Sequence, residues 1–332
     1  MYGESMLPDL APSFWVESTS ERYRVQVSSL QRLSSDSGKH IYRVKLANGA
    51  SWLLRMVKDP DKSTLVELAH LLLFFEQENY PAERIVLTVE RAAIGTIGDW
   101  HICVTTFLVG SPLEYTPVTL SLLGATVGRL HALKLPPSNL PPQAGMLPLG
   151  ELAFAQQRLA VIAPLVPRQY IEQYELLETA VLSIDHGTGL PATLIHNDCH
   201  PANALVTAPG QVTLLDWEGA GMGPAILDVG FLLANCDGMV PWSPLPSTAF
   251  HPDENRLKAV IDGYCRYHQP TMSELDFLTD AVRFRSLVFG ACSFAAAIAQ
   301  HERAEFSQWW WTRYCAAEEI AEKAREYFAQ IL

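Results

Sequence analysis

The pattern of apolar and polar positions divides the chain into a first part rich in alternating stretches and a longer second part rich in helical periodicity. In the first part, alternation with a period of two predicts strands at residues 23–31, 40–47, 51–57, 85–89 and 100–107. The Asn48-Gly49 pair is typical of a tight hairpin between the second and third of these strands. With a predicted helix at 61–79, these elements indicate a small lobe built on an antiparallel sheet.

The second part reads mostly as helix, interrupted by three short strands. Helical periodicity covers residues 118–134, 151–182, 254–268, 273–299 and 302–330, and another helix begins near Asp228. Strands are predicted at 192–195, 204–206 and 212–215, and the glycine-rich run 219–224 is predicted to be a turn. The stretch 287–299 is shorter than the ~20 residues of a membrane span, so it is predicted to be a core helix. The expected fold is α+β, with lobes at residues 1–107 and 108–332.

Composition and charge narrow the classes of partner. The chain has 332 residues, of which 48% are hydrophobic and 18% charged, so it is long enough for two lobes with their own cores. The net charge of −12 argues against a nucleic-acid partner. Residues 111–332 carry 13 Lys and Arg against 23 Asp and Glu, a net charge of −10. That part would suit a cationic ligand, although acidic surfaces also serve solubility alone.

Two further features bear on location. The six cysteines form no CxxC pair, which is typical of reduced, intracellular thiols. Residues 1–15 contain an acid and prolines where a signal peptide needs a basic and then an apolar segment. We therefore expect a cytoplasmic protein, and nothing in the sequence implies a membrane or a protein partner.

The sequence LIHNDCHPANAL, at residues 194–205, carries the clearest candidate chemistry. Asn203 follows Asp198 by five residues, and Asp216 follows Asn203 by thirteen, at the end of the next predicted strand. Phosphoryl transfer needs such a set, because an Asp can orient the acceptor hydroxyl while Asn and Asp oxygens hold magnesium ions against the phosphates. Two alternatives stay open: His196, Asp198 and His200 as the metal cluster of a hydrolase, or polar residues that only close turns.

The segments HNDCHPAN and LLDWEGAG resemble the catalytic loop and the metal-binding segment of the aminoglycoside phosphotransferase and choline kinase superfamily. The resemblance implies a two-lobe, protein-kinase-like fold that uses ATP and Mg²⁺. It implies Asp198 as the catalytic base and Asn203 and Asp216 as magnesium ligands. His196 would be a structural scaffold, and Asp228 would support the active-site loops.

The resemblance also places a nucleotide-covering loop between the first two strands. Ser35, Gly38 and Lys39 would then lie over the phosphates. The segment has a single glycine, so an ordinary hairpin turn is the alternative.

In the third strand, the resemblance implies an inward-facing cation that contacts the nucleotide phosphates. Strand alternation puts Arg55 on the same face as its apolar neighbours, and the competing Lys58 has the opposite parity. A buried Arg needs a partner, and the resemblance implies Glu67 on the following helix.

Two further expectations follow from the family order. The backbone of Thr106 and Leu108 would contact the adenine edge of the nucleotide. Only 11 residues separate Asp216 from Asp228, too few for the long activation segment of a protein kinase, which favours a small-molecule acceptor.

The acceptor itself is the least determined part. An aminoglycoside-like cation is the first expectation, and choline, ethanolamine or another amino alcohol is the alternative, favoured by the acidic Glu218. The aromatic residues Trp309, Trp310, Trp311 and Tyr314 could form a cage for a cation or could be core. From a different class, a nucleotide-binding regulator without turnover stays open, but it commonly lacks one of the three polar residues.

Overall fold

The computed structural model describes residues 12–36, 39–59, 61–134, 145–237, 252–304 and 306–332. The chain falls into two compact units, Met1–Val109 and Gly110–Leu332. The division lies two residues after the boundary expected from the sequence.

The first unit contains a five-stranded antiparallel sheet and two helices. Its strands are β1 (Val27–Asp36), β2 (Lys39–Leu46), β3 (Ser51–Val57), β4 (Ile94–Ile97) and β5 (Trp100–Thr106), in the spatial order β1-β2-β3-β5-β4. Its helices are α1 (Pro12–Tyr23) and α2 (Lys62–Gln77). Alternation along β3 sends Leu54 and Met56 to a core that includes Trp15 of α1, and it sends Val57 to a second core with Leu65 of α2. The sheet is therefore covered by apolar residues on both faces.

The predicted hairpin is present, one helix of this unit was missed, and one predicted strand is wrong. Gly49 has a φ of +88°, and its N–H donates to Leu46 O at 3.0 Å, as a tight turn requires. Helix α1 was not predicted, because its buried positions Trp15, Thr19 and Tyr23 recur every four residues but include a polar one. The predicted strand 85–89 forms only an isolated bridge, between Ile85 and Thr105, and β4 is the edge strand instead.

The second unit is mostly helical. Its helices are α3 (Pro117–His131), α4 (Pro148–Ile162), α5 (Ile171–Ser183), α6 (Ala225–Ala234), α7 (Glu254–Tyr264), α8 (Met272–Asp276), α9 (Leu278–Ala299), α10 (Phe306–Cys315) and α11 (Ala317–Ile331). Helix α9 is long and apolar enough to cross a membrane, but 72% of its apolar window is buried inside the unit. It is the core helix that the sequence predicts, and α4, α5, α6, α10 and α11 pack around it.

Two small sheets in this unit hold the candidate site. The first joins β6 (Ser111–Pro112), β8 (Ala204–Ala208) and β9 (Gln211–Leu214), and the second joins β7 (Ala192–Ile195) to β10 (Gly221–Pro224). The predicted turn at 219–224 is therefore wrong for its last four residues, 221–224, which form β10. A Cβ on Gly223 would lie 2.5 Å from Ile195 Cδ1, so a glycine here fits a strand beside a bulky neighbour.

Glycines let α3 and α7 approach each other closely. A Cβ on Gly124 would lie 2.2 Å from Val260 O, and one on Gly128 would lie 2.5 Å from Tyr264 O. The approach brings the Tyr264 hydroxyl within 2.9 Å of His131 Nδ1. This contact between helices supports the site described below.

We expect Gly128→Ala to lower the free energy of unfolding by about 1–3 kcal/mol, because the new methyl group would overlap a backbone oxygen. The matched control is Gly150→Ala in α4, where the added Cβ would meet only Met146 Cβ, at 3.6 Å. The control should be neutral or stabilising by up to about 1 kcal/mol, the helix preference for Ala. Urea denaturation followed by circular dichroism measures both, and equal stability of the two variants would contradict the close approach of α3 and α7.

Candidate active site

Residues 196–203 follow β7 directly and are called the catalytic-loop segment below, after the resemblance. Its first residue, His196, holds the segment together by internal hydrogen bonds. Its Nε2 lies 2.7 Å from Leu215 O, and its Nδ1 lies 3.3 Å from the Asp198 amide nitrogen. Nε2 must therefore donate and Nδ1 must accept, which assigns the neutral Nε2–H tautomer. The ring is buried and lies 4.5 Å from the ring of Trp217. Because both ring nitrogens are used, His196 cannot also bind a metal in this arrangement.

Asp198 and Asn203 contact each other directly. Asn203 Nδ2 donates to Asp198 Oδ2 at 2.7 Å and to the Asp198 carbonyl at 3.1 Å. The Asp198 side chain is 29% exposed, and its Oδ1 lies 3.6 Å from His200 Nε2. Since the Asn203 amide nitrogen is turned toward Asp198, its Oδ1 is the atom that can serve as a metal ligand.

Backbone hydrogen bonds tie the end of β9 to this loop. Leu215 N donates to Asn203 O at 2.8 Å, and Leu215 O accepts from His196. Asp216 follows at once in a left-handed conformation with a φ of +60°, and its side chain is exposed. The structure therefore brings Asp198, Asn203 and Asp216 to one pair of linked loops.

Asp228, in α6, holds the catalytic-loop segment from inside the protein. It is 1% exposed and accepts from the backbone N–H groups of His196 at 2.7 Å and Asn197 at 2.8 Å. His131 Nε2 lies 3.2 Å from the same carboxylate. Burial alone would raise the pKa of Asp228, but the hydrogen bonds and the charge of His131 outweigh it and lower the pKa. The group is therefore a charged acceptor for two consecutive backbone amides.

In the first unit, Arg55 is buried, as its strand parity predicts, but its predicted partner is wrong. The Arg55 guanidinium donates to Glu83 Oε1 at 2.7 Å and Oε2 at 3.2 Å, and also to Thr105 Oγ1 at 3.2 Å. The face of α2 that packs on the sheet is apolar, so Glu67 lies half-buried beside it, while Glu83 is only 5% exposed. Glu83 enters beside the bridge of Ile85 to Thr105, a register that no local pattern shows.

The predicted nucleotide-covering loop is only partly described. The β1–β2 hairpin continues to the pairs Ser35 with His40 and Asp36 with Lys39. Gly38 lies outside the described residues, as do the side chains of Ser35 and Lys39. The competing cation Lys58 lies over the Trp100 ring, 4.8 Å from its centre.

The predicted adenine-contacting backbone has some of its donors engaged. The Thr106 N–H donates to Arg84 O at 2.8 Å, and the Phe107 N–H donates to Ser51 O at 3.2 Å. The predicted contact would therefore depend on carbonyl groups and on the Leu108 N–H rather than on the Thr106 N–H.

The Trp309 to Tyr314 residues divide between core and surface. Trp309 is 1% exposed, with the Arg313 guanidinium 3.5 Å from its ring centre, so it is core. Trp311 stacks on Tyr314 at 4.7 Å, and Arg283 lies 5.5 Å from the Tyr314 ring centre.

Trp310 belongs to a different group of rings. An aromatic cluster joins Trp310 to Phe289 at 5.2 Å, Phe289 to Phe231 at 5.6 Å, and Phe231 to His200 at 5.7 Å between ring centres. The cluster extends from α10 to the catalytic-loop segment, and Phe289 and Trp310 are half-buried. Of the four candidate cage residues, Trp310 is the one that these ring contacts link to His200, whose Nε2 lies 3.6 Å from Asp198 Oδ1.

The hydrolase alternative needs His196 as a metal ligand, and both ring nitrogens of His196 are already hydrogen-bonded within the site. Among the residues that the structure describes, no group of three or more His, Cys, Asp and Glu side chains could hold a metal ion.

A sequence model described as the phosphotransferase enzyme family matches residues 29–278. The chain belongs to this family. The predicted family and the predicted activity class are therefore confirmed.

Solved phosphotransferases share the fold of this family member at low sequence identity. The amicoumacin kinase hAmiN, in complex with AMP-PNP, Ca²⁺ and Ami, superposes with a TM-score of 0.67 at 15% identity, over 93% of this chain and 94% of that one. Spectinomycin phosphotransferase APH(9)-Ia, with ADP and spectinomycin, gives 0.64 at 12% identity, over 96% and 99%. Choline kinase from Cryptosporidium parvum gives 0.61 at 14% identity, over 97% and 92%. The predicted protein-kinase-like, two-lobe α+β fold is confirmed.

A search of curated protein sequences found no match to this phosphotransferase.

Three functional candidates of the phosphotransferase were missed by the sequence. Glu83 replaces Glu67 as the partner of Arg55, Phe289 joins Trp310 in the aromatic cluster, and Glu151 contacts Asn197 of the catalytic-loop segment. Each depends on residues far apart in sequence. The sequence offered one hint for Glu151, which is the acidic first residue of the predicted helix 151–182.

Glu83→Gln should lower the free energy of unfolding by roughly 3 kcal/mol or more, because it leaves the buried Arg55 charge without its carboxylate. Glu67→Gln is the matched control and should change stability by less than about 0.5 kcal/mol, since its side chain is not part of that pair. Chemical denaturation of both variants tests the corrected pairing, and a larger loss for Glu67→Gln would restore the original one.

Proposed function

We propose that this chain transfers the γ-phosphate of ATP to a hydroxyl group of a small molecule, with Asp198 as the general base. The observation that carries the proposal is the direct contact between the Asp198 carboxylate and the Asn203 amide, 2.7 Å apart, beside the backbone that holds Asp216. Family membership supports the reaction class. The AMP-PNP bound to amicoumacin kinase hAmiN and the ADP bound to spectinomycin phosphotransferase APH(9)-Ia support an adenine nucleotide as donor.

In the proposed reaction, the acceptor oxygen bonds to the γ-phosphorus, the bond to the β–γ bridging oxygen breaks, and ADP leaves. Asp198 receives the hydroxyl proton. Asp198 Oδ2 already accepts from Asn203, so we assign Oδ1, which lies 3.6 Å from His200 Nε2, to face the acceptor hydroxyl. The hydrogen bond between Asp198 and Asn203 therefore orients both the carboxylate and the side-chain amide.

The donor atoms of the loop pair suit magnesium. Asn203 Oδ1 and the exposed Asp216 carboxylate are hard oxygen ligands, which Mg²⁺ prefers over nitrogen or sulfur. Magnesium, when bound, would neutralise the charge of the nucleotide phosphates. In the first unit, the proposed nucleotide contacts are Arg55 in its pair with Glu83, the Leu108 backbone and the β1–β2 hairpin. Glu67 has no supporting contact in that proposal.

A small-molecule acceptor is favoured by the segment between Asp216 and Asp228. Most of it forms a short 3-10 turn at Trp217–Gly219, strand β10 and the start of α6. Because this interval is regular structure, no long peptide-binding segment can lie within it.

We infer that the acceptor carries an amine or a quaternary nitrogen. Two features support a cation: the net charge of −10 on residues 111–332, and the half-buried Phe289 and Trp310 in the aromatic cluster. An aminoglycoside-like antibiotic is the first proposal. The aromatic cluster favours choline or another amino alcohol as the second candidate, because ring faces bind compact cations at contact.

The location is proposed to be the cytoplasm, where ATP is available. The six cysteines support this, since they are all free thiols.

Asp198→Asn should lower kcat by at least ~10²-fold, the scale of a lost general base, while the dissociation constant for the nucleotide stays unchanged. The amide keeps the shape of the side chain and its contact with Asn203 but cannot take a proton.

Turnover is measured as ADP release with a panel of four candidate acceptors: spectinomycin, choline, ethanolamine and glucose. Glu175→Gln, an exposed charge change in α5, is the control. Parental turnover in Asp198→Asn would contradict the proposed role of Asp198 as the general base.

Trp310→Leu should raise KM for a cationic acceptor by about 2- to 30-fold, which corresponds to the 0.5–2 kcal/mol of a cation–π contact. Trp311→Leu is the control, because its ring already stacks on Tyr314. The effect should change little with salt, whereas attraction by distant carboxylates would weaken beyond a Debye length of about 8 Å. Glucose emerging as the best acceptor by kcat/KM would refute the cationic acceptor.

A further inference from the structure

Asn197 has a left-handed backbone conformation. It lies between His196 and Asp198, is 2% exposed, and has a φ of +68°. Asn is one of the few non-glycine residues that adopt this region, and glycine adopts it without steric cost. The backbone is already held through its N–H bond to Asp228. Glycine would satisfy this backbone equally well, so any role specific to Asn197 must come from its side-chain contacts.

The side chain of Asn197 ties the catalytic-loop segment to α4. Its Nδ2 donates to Glu151 Oε1 at 2.8 Å and to Met146 O at 3.3 Å. Both acceptors belong to the first turn of α4 or to the residues just before it. Asp198, the next residue, is thus placed by a peptide that is anchored on two sides, by Asp228 of α6 and by Glu151 of α4.

Glu151 is itself held in place by a second charge. Arg285 of α9 donates to Glu151 Oε1 at 2.9 Å, and the two side chains are only 6% and 9% exposed. Burial raises the pKa of Glu151 to about 7, although the charge and the hydrogen bonds of Arg285 and Asn197 oppose that rise. The Arg285 guanidinium also lies 5.2 Å from the Phe289 ring centre, so the pair adjoins the aromatic cluster.

Stability alone does not account for this arrangement. A buried ion pair is often no more stabilising than apolar side chains of the same volume. Within the described part of the chain, Glu151 Oε2, Asn197 Oδ1 and Arg285 Nε are buried without a hydrogen-bond partner, which makes the arrangement costly. What apolar residues could not supply is an acceptor for the Asn197 amide beside Asp198.

We propose that Glu151, held by Arg285, is a positioning residue for phosphoryl transfer, which acts through the Asn197 side chain to orient Asp198. The inference rests on the proposed function, in which Asp198 is the base. It adds the coupling of α4 and α9 to the catalytic-loop segment, and through Arg285 to the aromatic cluster.

A double-mutant cycle with Asn197→Gly and Glu151→Leu tests the proposal, because leucine leaves no acceptor for the Asn197 amide. Glycine keeps the left-handed backbone and its N–H bond to Asp228 but removes the side-chain link. Each single variant should lower kcat by about 10- to 10²-fold, the cost of a misplaced catalytic group, with the nucleotide dissociation constant and the acceptor KM within about 3-fold of parental. The double variant should be no slower than the slower single variant, because both changes break one link. Multiplied effects would overturn the proposal.

A second variant guards against loss of folding. Glu151→Leu combined with Arg285→Met removes both buried charges and conserves volume, so the chain should stay folded. Its kcat should fall as far as that of Asn197→Gly, and a parental kcat would overturn the proposal.

Turnover is measured with Mg·ATP and the acceptor selected from the panel, or by hydrolysis of Mg·ATP by water where none is selected. If Asp198→Asn is inactive while the Asn197 and Glu151 variants are parental, only the positioning role fails. If Asp198→Asn is parental, the proposed function fails as well.

Discussion

One buried carboxylate, Asp228, is the group on which the geometry of the second unit depends. A charge removed from water is tolerated only where several donors converge on it, and here two consecutive backbone amides and a histidine do so. Those amides belong to His196 and Asn197, the residues just before Asp198. The requirement to solvate one charge inside the protein thus determines the path of the segment that carries the candidate base.

The solvation of Asp228 reaches further than its own contacts. His131 stands at the end of α3, and its other nitrogen meets Tyr264 of α7. That meeting is possible because glycines allow α3 and α7 to approach at backbone distance. Packing of helices remote from the loop and the charge state of a carboxylate are therefore parts of one arrangement.

The sequence predicts what is local in the chain and misses what depends on register between distant segments. Asp198 and Asn203 lie in one loop. The loop leads into β8, and Asp216 follows β9, the strand that pairs with β8. Spacing along the chain was therefore sufficient to group the three residues. The partner of Arg55 was beyond such reasoning, because Glu83 reaches it through a single bridge between Ile85 and Thr105. Glu151 precedes Asn197 by 46 residues, and only tertiary packing brings them together.

The side-chain amide of Asn203 has a donor end and an acceptor end, which serve different partners. Its amide nitrogen faces the Asp198 carboxylate, and its amide oxygen is the end left for a metal ion. A single planar group of this kind cannot rotate to favour one partner without abandoning the other. In an enzyme built this way, any substitution of Asn203 would disturb the orientation of the base and the binding of the metal ion together.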